Sequence, residues 1–518
     1  MLLTLIVVPA GATVSPDAPK LVVSIAVDQL RSDYLYALQE HYGEKGFKLF
    51  LQEGAVCEEV VYDYPALDCA VSMAAIHTGA IPYNNGIVSE TVFDKTARKD
   101  VSIFYDAAYM GNGTDDTFSA KALKVSTLSD EVKIVTGGMG RVYSVAVDAP
   151  MAIISGGHVP NGVVWVDDKN GNWVSSTYYP DMPPYLSNPY YEHSVRRNIG
   201  KQLWKPLLAY DAYKALPYQV ATYGFSHVFL SSDKDVYRKF KTSAVANTFV
   251  TDVALNIIEA ASLGGREQLD MLNIGYTLAP FSNGTVQQYG LELQDAYVRL
   301  DGELSRLFTE IDKTVGLKNT VVFITSTGYF TGEGREASVF KIQSGEFYPT
   351  RATSLLNMYL MALYGSGEWV LGFSHNQIYL NRELIKERAL DLDEVREKSA
   401  QFLVEMEGVQ DVHTQQSILL HSANEYTDRL RSGFSPKYSG DLFIDIVPGW
   451  EIVYDSNNRE YVRHNVIPAP FMVYAHNVQA QRIATPVDVT CIAPTIARIL
   501  RIRSPNGAAS RAIDVLIK

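Results

Sequence analysis

The sequence predicts an α/β fold: a mostly parallel sheet flanked by helices, with two insertions over the C-terminal edge of the strands. Three observations carry that prediction. Leu21 to Val27 (LVVSIAV) is a nearly continuous apolar run ending at Asp28, and its length and β-branched content suit a parallel strand buried on both faces. Met271–Tyr276, Thr320–Thr325 and Phe471–Tyr474 repeat that character. Between two of these runs, Tyr297, Leu300, Leu304, Leu307, Ile311 and Val315 recur at spacings of three and four. That pattern is an amphipathic helix over Asp295 to Val315, closed by Gly316. Strand, helix, strand in this order makes a βαβ unit and so a parallel sheet covered on both faces.

In chain order, residues 1–18 read as an export signal. Leu2 to Val8 is a short apolar run and Ala10-Gly11-Ala12 resembles an A-x-A cleavage site, while the first basic residue is Lys20. The expected location is the periplasm or a bacterial cell envelope. Core is expected over 19–158, 243–328 and 441–518. Residues 159–242, rich in Tyr, Pro, Asn and Trp, form a first insertion. Residues 329–440, with the charged, helix-prone stretch Arg382–Glu407, form a second. No later run of about 18 apolar residues occurs, so no spanning helix is expected.

Composition narrows the function. Of 518 residues, 58 are acidic and 45 basic, a net charge of −13. A nucleic-acid binder needs a cationic face to displace counterions, so that class is excluded. A small anion is not excluded, because a metal or a helix terminus can dominate a site locally. With 47% hydrophobic and 20% charged residues the chain is globular. Cys57, Cys69 and Cys491 are too few and too widely spaced for a disulfide framework and contain no CxxC pair. They read as small apolar residues.

Open α/β sheets bind ligands beyond the carboxyl ends of their strands, so the residues just past each apolar run matter most. Asp28, Gln29 and Arg31 come after the first, and Asp28 is a candidate cation ligand or a helix cap. Thr277 to Gly284 (TLAPFSNG) comes after the second and Ser326 to Phe330 (STGYF) after the third. Neither offers Asp, Glu, His or Cys. A two-metal hydrolase needs several carboxylates and imidazoles converging on ions about 4 Å apart, and these strand ends cannot supply them.

Several segments nonetheless occur in a known order. They are Ile25–Tyr36 (IAVDQLRSDYLY), Ala75–Pro82 (AIHTGAIP), Gly156-Gly157-His158, Trp165–Trp173, Asp295–Asp301 (DAYVRLD), Ser439–Leu442 with Pro448-Gly449-Trp450, and Ile492–Ala497. Together they resemble the alkaline phosphatase superfamily, most closely its bacterial phosphate-irrepressible (PafA-type) branch, over nearly the whole chain. The resemblance implies that fold, with Ser439–Leu442 leading a late core strand. In active relatives it implies two zinc ions held by Asp and His, and a threonine nucleophile.

Carried across residue by residue, the resemblance implies a failed site. The first metal aspartate is kept as Asp28. The nucleophile position holds Cys69, and the phosphoryl-binding Asn falls on Glu90. The Lys and Arg that clamp the transition state fall on Asp148 and Pro150. The remaining metal-ligand positions fall on Pro280, Gly284, Thr327, Gly328 and Pro468. His77 and His158 match positions that are not ligands, and His464 lies near the lost last ligand. One carboxylate is no zinc site, and anions at 90 and 148 invert the stabilisation of developing negative charge.

The sequence therefore reads as a catalytically inactive member of that superfamily, a binding or structural component of a bacterial envelope, with no cofactor expected. Its partner is an envelope protein or a small ligand in the former active-site cleft. The alternative is a metal-dependent phosphate mono- or diester hydrolase of alkaline phosphatase or phosphodiesterase type with a rearranged site.

Overall fold

The computed structural model describes residues 18–516 except 181, 189, 214–223, 285, 332–343, 421–424, 456–457 and 464–465. The export-signal stretch and His464 fall outside the described residues. A ten-stranded sheet forms the core. Its strands, in chain order, are β1 (Leu21–Asp28), β2 (Ala55–Cys57), β3 (Gly111–Asn112), β4 (Val142–Ala146), β5 (Gly162–Val166), β6 (Trp173–Ser176), β7 (Asp270–Thr277), β8 (Thr320–Ser326), β9 (Phe471–Tyr474) and β10 (Gln481–Ile483). They lie in the order β10-β2-β9-β8-β1-β7-β4-β5-β6-β3.

The five strands β8, β1, β7, β4 and β5 are mutually parallel. Every residue of Leu21 to Val27 is buried, as expected for a strand covered on both faces. Phe471–Tyr474 departs from expectation, running antiparallel to β8 and to β2. An apolar run marks burial on two faces and carries no signal of direction.

Three helices matter for the site: α1 (Cys69–Thr78), α2 (Val236–Lys241) and α3 (Val286–Thr314). The last comes after β7 and contains the predicted stripe, with Tyr297, Leu300, Leu304, Leu307 and Ile311 fully buried. It ends before Gly316, whose φ of 86° is left-handed. Among the described residues no helix is long and apolar enough to cross a membrane.

Both expected insertion boundaries move. Gly162–Val166 and Trp173–Ser176 belong to the main sheet, so the core continues past 158. The strand-like run Val163–Val166, expected as part of the insertion, is a strand of the main sheet, GVVWV, buried throughout. Leu442–Ile446, expected as a late core strand, pairs instead with Gln377–Leu380 and Val409–Thr414 in a separate four-stranded sheet. That sheet has its own core around Trp369, Leu380, Leu403 and Trp450.

Candidate functional site

The parallel register places the site. Asp28 is level with Thr277 of β7, and Val27 is level with Ser326 of β8. The C-terminal ends of three strands therefore open onto one cleft of about 1540 Å³. Asp28, Cys69, Glu90, Asp148, Pro150 and Gly284 all line it. Pro280 and Pro468 do not: Pro280 caps the short turn Phe281–Asn283, and the Pro468 carbonyl accepts from Ser32 N at 2.9 Å.

Cys69 opens helix α1. The preceding Asp68 caps it, with Oδ1 accepting from Val71 N at 2.8 Å and Oδ2 from Ser89 Oγ at 2.8 Å and Glu90 N at 2.6 Å. Asp68 thus ties the helix start to the segment carrying Glu90. His375, from the second insertion, reaches the same place, its Nε2 3.1 Å from Ser89 Oγ and 3.0 Å from Thr91 Oγ1.

The electrostatics are those of crowded, buried carboxyl groups. Burial pushes the Asp28 carboxyl up to about 7; Asp148 adds to the rise, while hydrogen bonds from Thr327 and Gln29 oppose it. Glu90 is pushed up to about 8 by burial, then by Asp68 and Asp148, with Lys241 opposing. Burial raises the Cys69 thiol well above its ordinary value, and Asp28, Glu90, Asp148 and Asp68 add to it. The helix N-terminus alone would have lowered it.

A cation beside Asp148 comes from an unexpected position. Lys241, the last residue of α2 and 9% exposed, pairs with Asp148 and lies 2.5 Å from Asp168 Oδ1. Burial disfavours its charge, but the two carboxylates outweigh that and hold its pKa above the usual lysine value. Lys241, Asp68 and Tyr62 escaped the sequence reading. Only Asp68 carried a local signal, an Asp directly before a helix start.

A two-zinc centre does not fit these residues. Thr327 Oγ1 donates to Asp28 Oδ1 at 2.8 Å, so a neutral hydroxyl already partners that oxygen. Gly328 has a φ of 64°, and a Cβ there would lie 2.2 Å from Tyr62 Cδ2. The Tyr62 hydroxyl donates to Ser326 O at 2.6 Å, which fixes the ring in that space. The space beside Gly328 is therefore filled by the Tyr62 ring. Among the described residues no group of three His, Cys, Asp or Glu has the geometry to hold a metal ion. Of the two matched histidines, His77 is buried in α1 with neither ring nitrogen bonded among the described residues and is held down to about 3 by burial. His158 Nδ1 lies 2.8 Å from Asp130 Oδ2.

Residues 22–468 match the type I phosphodiesterase / nucleotide pyrophosphatase family, and the chain belongs to it. It is 28% identical to alkaline phosphatase PhoV of Synechococcus elongatus over 96% of this chain and 93% of that one. It is 27% identical to alkaline phosphatase PafA of Elizabethkingia meningoseptica over 96% of this chain and 94% of that one. The crystal structure of wild-type PafA superposes with a TM-score of 0.83 at 25% identity, covering 97% of this chain and 99% of that one. The expected superfamily and its α/β architecture are thereby established.

Proposed function

We propose that this member of the family is a binding protein of the bacterial envelope that no longer hydrolyses phosphate esters. One observation carries the reading: Tyr62 and Thr327 occupy the ground that a second metal ligand pair would need. Asp148 and Glu90 support it, since both are carboxyl side chains and neither can supply the positive charge that a developing oxyanion needs. The Leu2–Val8 run before Ala10-Gly11-Ala12 supports export. The test is zinc content and hydrolysis of aryl phosphate mono- and diesters by protein purified without chelator. Less than one zinc per chain and no zinc-stimulated turnover are expected.

The comparisons favour a second reading, phosphoric ester hydrolysis, because relatives named alkaline phosphatases align over nearly the full length. Two zinc ions surviving dialysis, with turnover lost on chelation, would establish it and overturn the first.

A further inference from the structure

We infer that His375 is a positioning residue, a latch through which the second insertion holds the floor of the cleft. The inference concerns the shape of the cleft and stands under either reading of its function. Ser89 has one hydroxyl proton and gives it in a hydrogen bond to Asp68 Oδ2 at 2.8 Å. Toward His375 Nε2, 3.1 Å away, the same oxygen can then only accept. The hydrogen-bond network therefore assigns the ring proton to Nε2, with Thr91 Oγ1 at 3.0 Å as its second acceptor. The bonds run one way, from His375 to Ser89 to Asp68, and each polarises the next. They end on the carboxyl group that caps α1 through Val71 N and also takes Glu90 N. Cys69 and Glu90, both lining the cleft, are thus tied to a side chain 286 residues beyond Ser89.

The backbone marks the same turn independently. His375 and Asn376 are the two central residues between Val370–Ser374 and Gln377–Leu380, and both are left-handed, at φ 48° and 58°. Turns of this form favour Asn-Gly, yet neither residue here is a glycine. Such strain persists where the surroundings fix it, and the contacts to Ser89 and Thr91 do so for His375. Asn376 lines the cleft, so one turn carries both a piece of its wall and the latch. A second connection runs beside the first. Phe93 stacks on Tyr379 with ring centroids 4.5 Å apart, Arg98 pairs with Glu368 at 2.5 Å, and a Cβ on Gly372 would lie 2.6 Å from Phe93 Cζ. Phe93 and Arg98 belong to the hairpin from Thr91 to Ser102, which continues directly from Glu90. Ile103 N, just past it, donates back to Glu90 O at 2.9 Å. A shift of the insertion's sheet therefore reaches Glu90 through the hairpin and Asp68 through the histidine.

Hydrogen exchange of the full chain, read by mass spectrometry, tests the latch together with iodoacetamide labelling of Cys69. His375→Asn keeps a residue that tolerates the left-handed turn but is too short to reach Ser89. His375→Gln restores a side-chain N–H at about the reach of Nε2. In His375→Asn, peptides holding Val71 and Glu90 should exchange faster by about fivefold, the opening expected from one lost hydrogen bond. Cys69 should be labelled faster by a similar factor at pH 9, while the peptide over 370–380 changes little. His375→Gln should return both rates toward the parent. Ser89→Ala cuts the chain of bonds in the middle and should raise the same rates, and the Ser89→Ala/His375→Asn double variant should add nothing to it. Unchanged exchange at Val71 and Glu90 in His375→Asn, a Gln variant no closer to the parent than the Asn variant, or additive single effects would overturn the inference.

Discussion

The Thr327 hydroxyl donates a hydrogen bond to Asp28 across two neighbouring strands, at 2.8 Å. The same oxygen accepts from Gln29 N at 3.3 Å, where the backbone is left-handed with φ 62°. Thr327 therefore holds both the carboxylate and the turn after it. Replacing it with Val keeps shape and removes the bond. A buried acceptor losing its donor costs about 1–3 kcal/mol. The loss should be larger at pH 8.5 than at pH 5, because Asp28 is ionised above about 7. Urea unfolding at both pH values checks it; an equal loss at both would mean that the bond to the carboxylate contributes nothing.

Introducing an Asp-His pair at 327 and 328 should fail to bind zinc unless the tyrosine goes too. In Thr327→Asp/Gly328→His, the new Cβ at 328 meets the Tyr62 ring at 2.2 Å on a backbone with φ 64°. Metal analysis of that double variant should show well under one zinc per chain. Adding Tyr62→Ala should relieve the clash and raise zinc occupancy above that of the double variant. Equal occupancy in the two would show that the ring is no obstacle.

One physical division separates the features that the sequence disclosed from those it hid. Leu21–Asp28 and the stripe from Tyr297 to Ile311 were legible because burial on a strand or helix face imposes a local period. Gly162–Val166 was legible as a strand but not as part of the main sheet, because sheet membership depends on a partner strand elsewhere in the chain. The absence of an Asp, Glu, His or Cys at Ser326–Phe330 was readable from side-chain identity alone. The packing of the Tyr62 ring beside Gly328 was not, because nothing near residue 62 says which strand end its ring covers. Lys241 was hidden for the same reason: its carboxylates lie 73 and more residues away.

The raised carboxyl of Glu90 makes a pH signature. Its folded pKa is about 8 against an ordinary 4.5. Between those values the unfolded chain has lost the proton that the folded chain keeps, so stability falls as pH rises through this window and the penalty is complete above about 8. Glu90→Gln removes the titration. Relative to the parent, its stability should be unchanged near pH 4 and should improve progressively to pH 8.5, by about 1–3 kcal/mol. Thermal unfolding across pH 4–9 reads the difference, and a gain that does not vary with pH would remove Glu90 as its source.

Cys69 offers the sharpest comparison between what a helix start does in general and what this one does. A thiol at a helix N-terminus is ordinarily acidified by the dipole and by the unpaired amides. Here Asp68 already takes the Val71 amide, and burial with Asp28, Glu90 and Asp148 raises the thiol instead. At neutral pH it should be almost wholly protonated, and the thiolate is the reactive form. Its alkylation by iodoacetamide should be slower at pH 7 than that of an ordinary thiol of pKa about 8.5. The rate should still be rising at pH 9 with no plateau. Assigning the adduct by peptide mass separates Cys69 from Cys57 and Cys491. Cys69→Thr should gain no ester hydrolysis, since the exchange restores a hydroxyl but neither metal ligands nor a cationic clamp. A rate midpoint below about pH 7, or turnover by the threonine variant, would show that the cleft still activates a nucleophile and that the binding-protein reading is wrong.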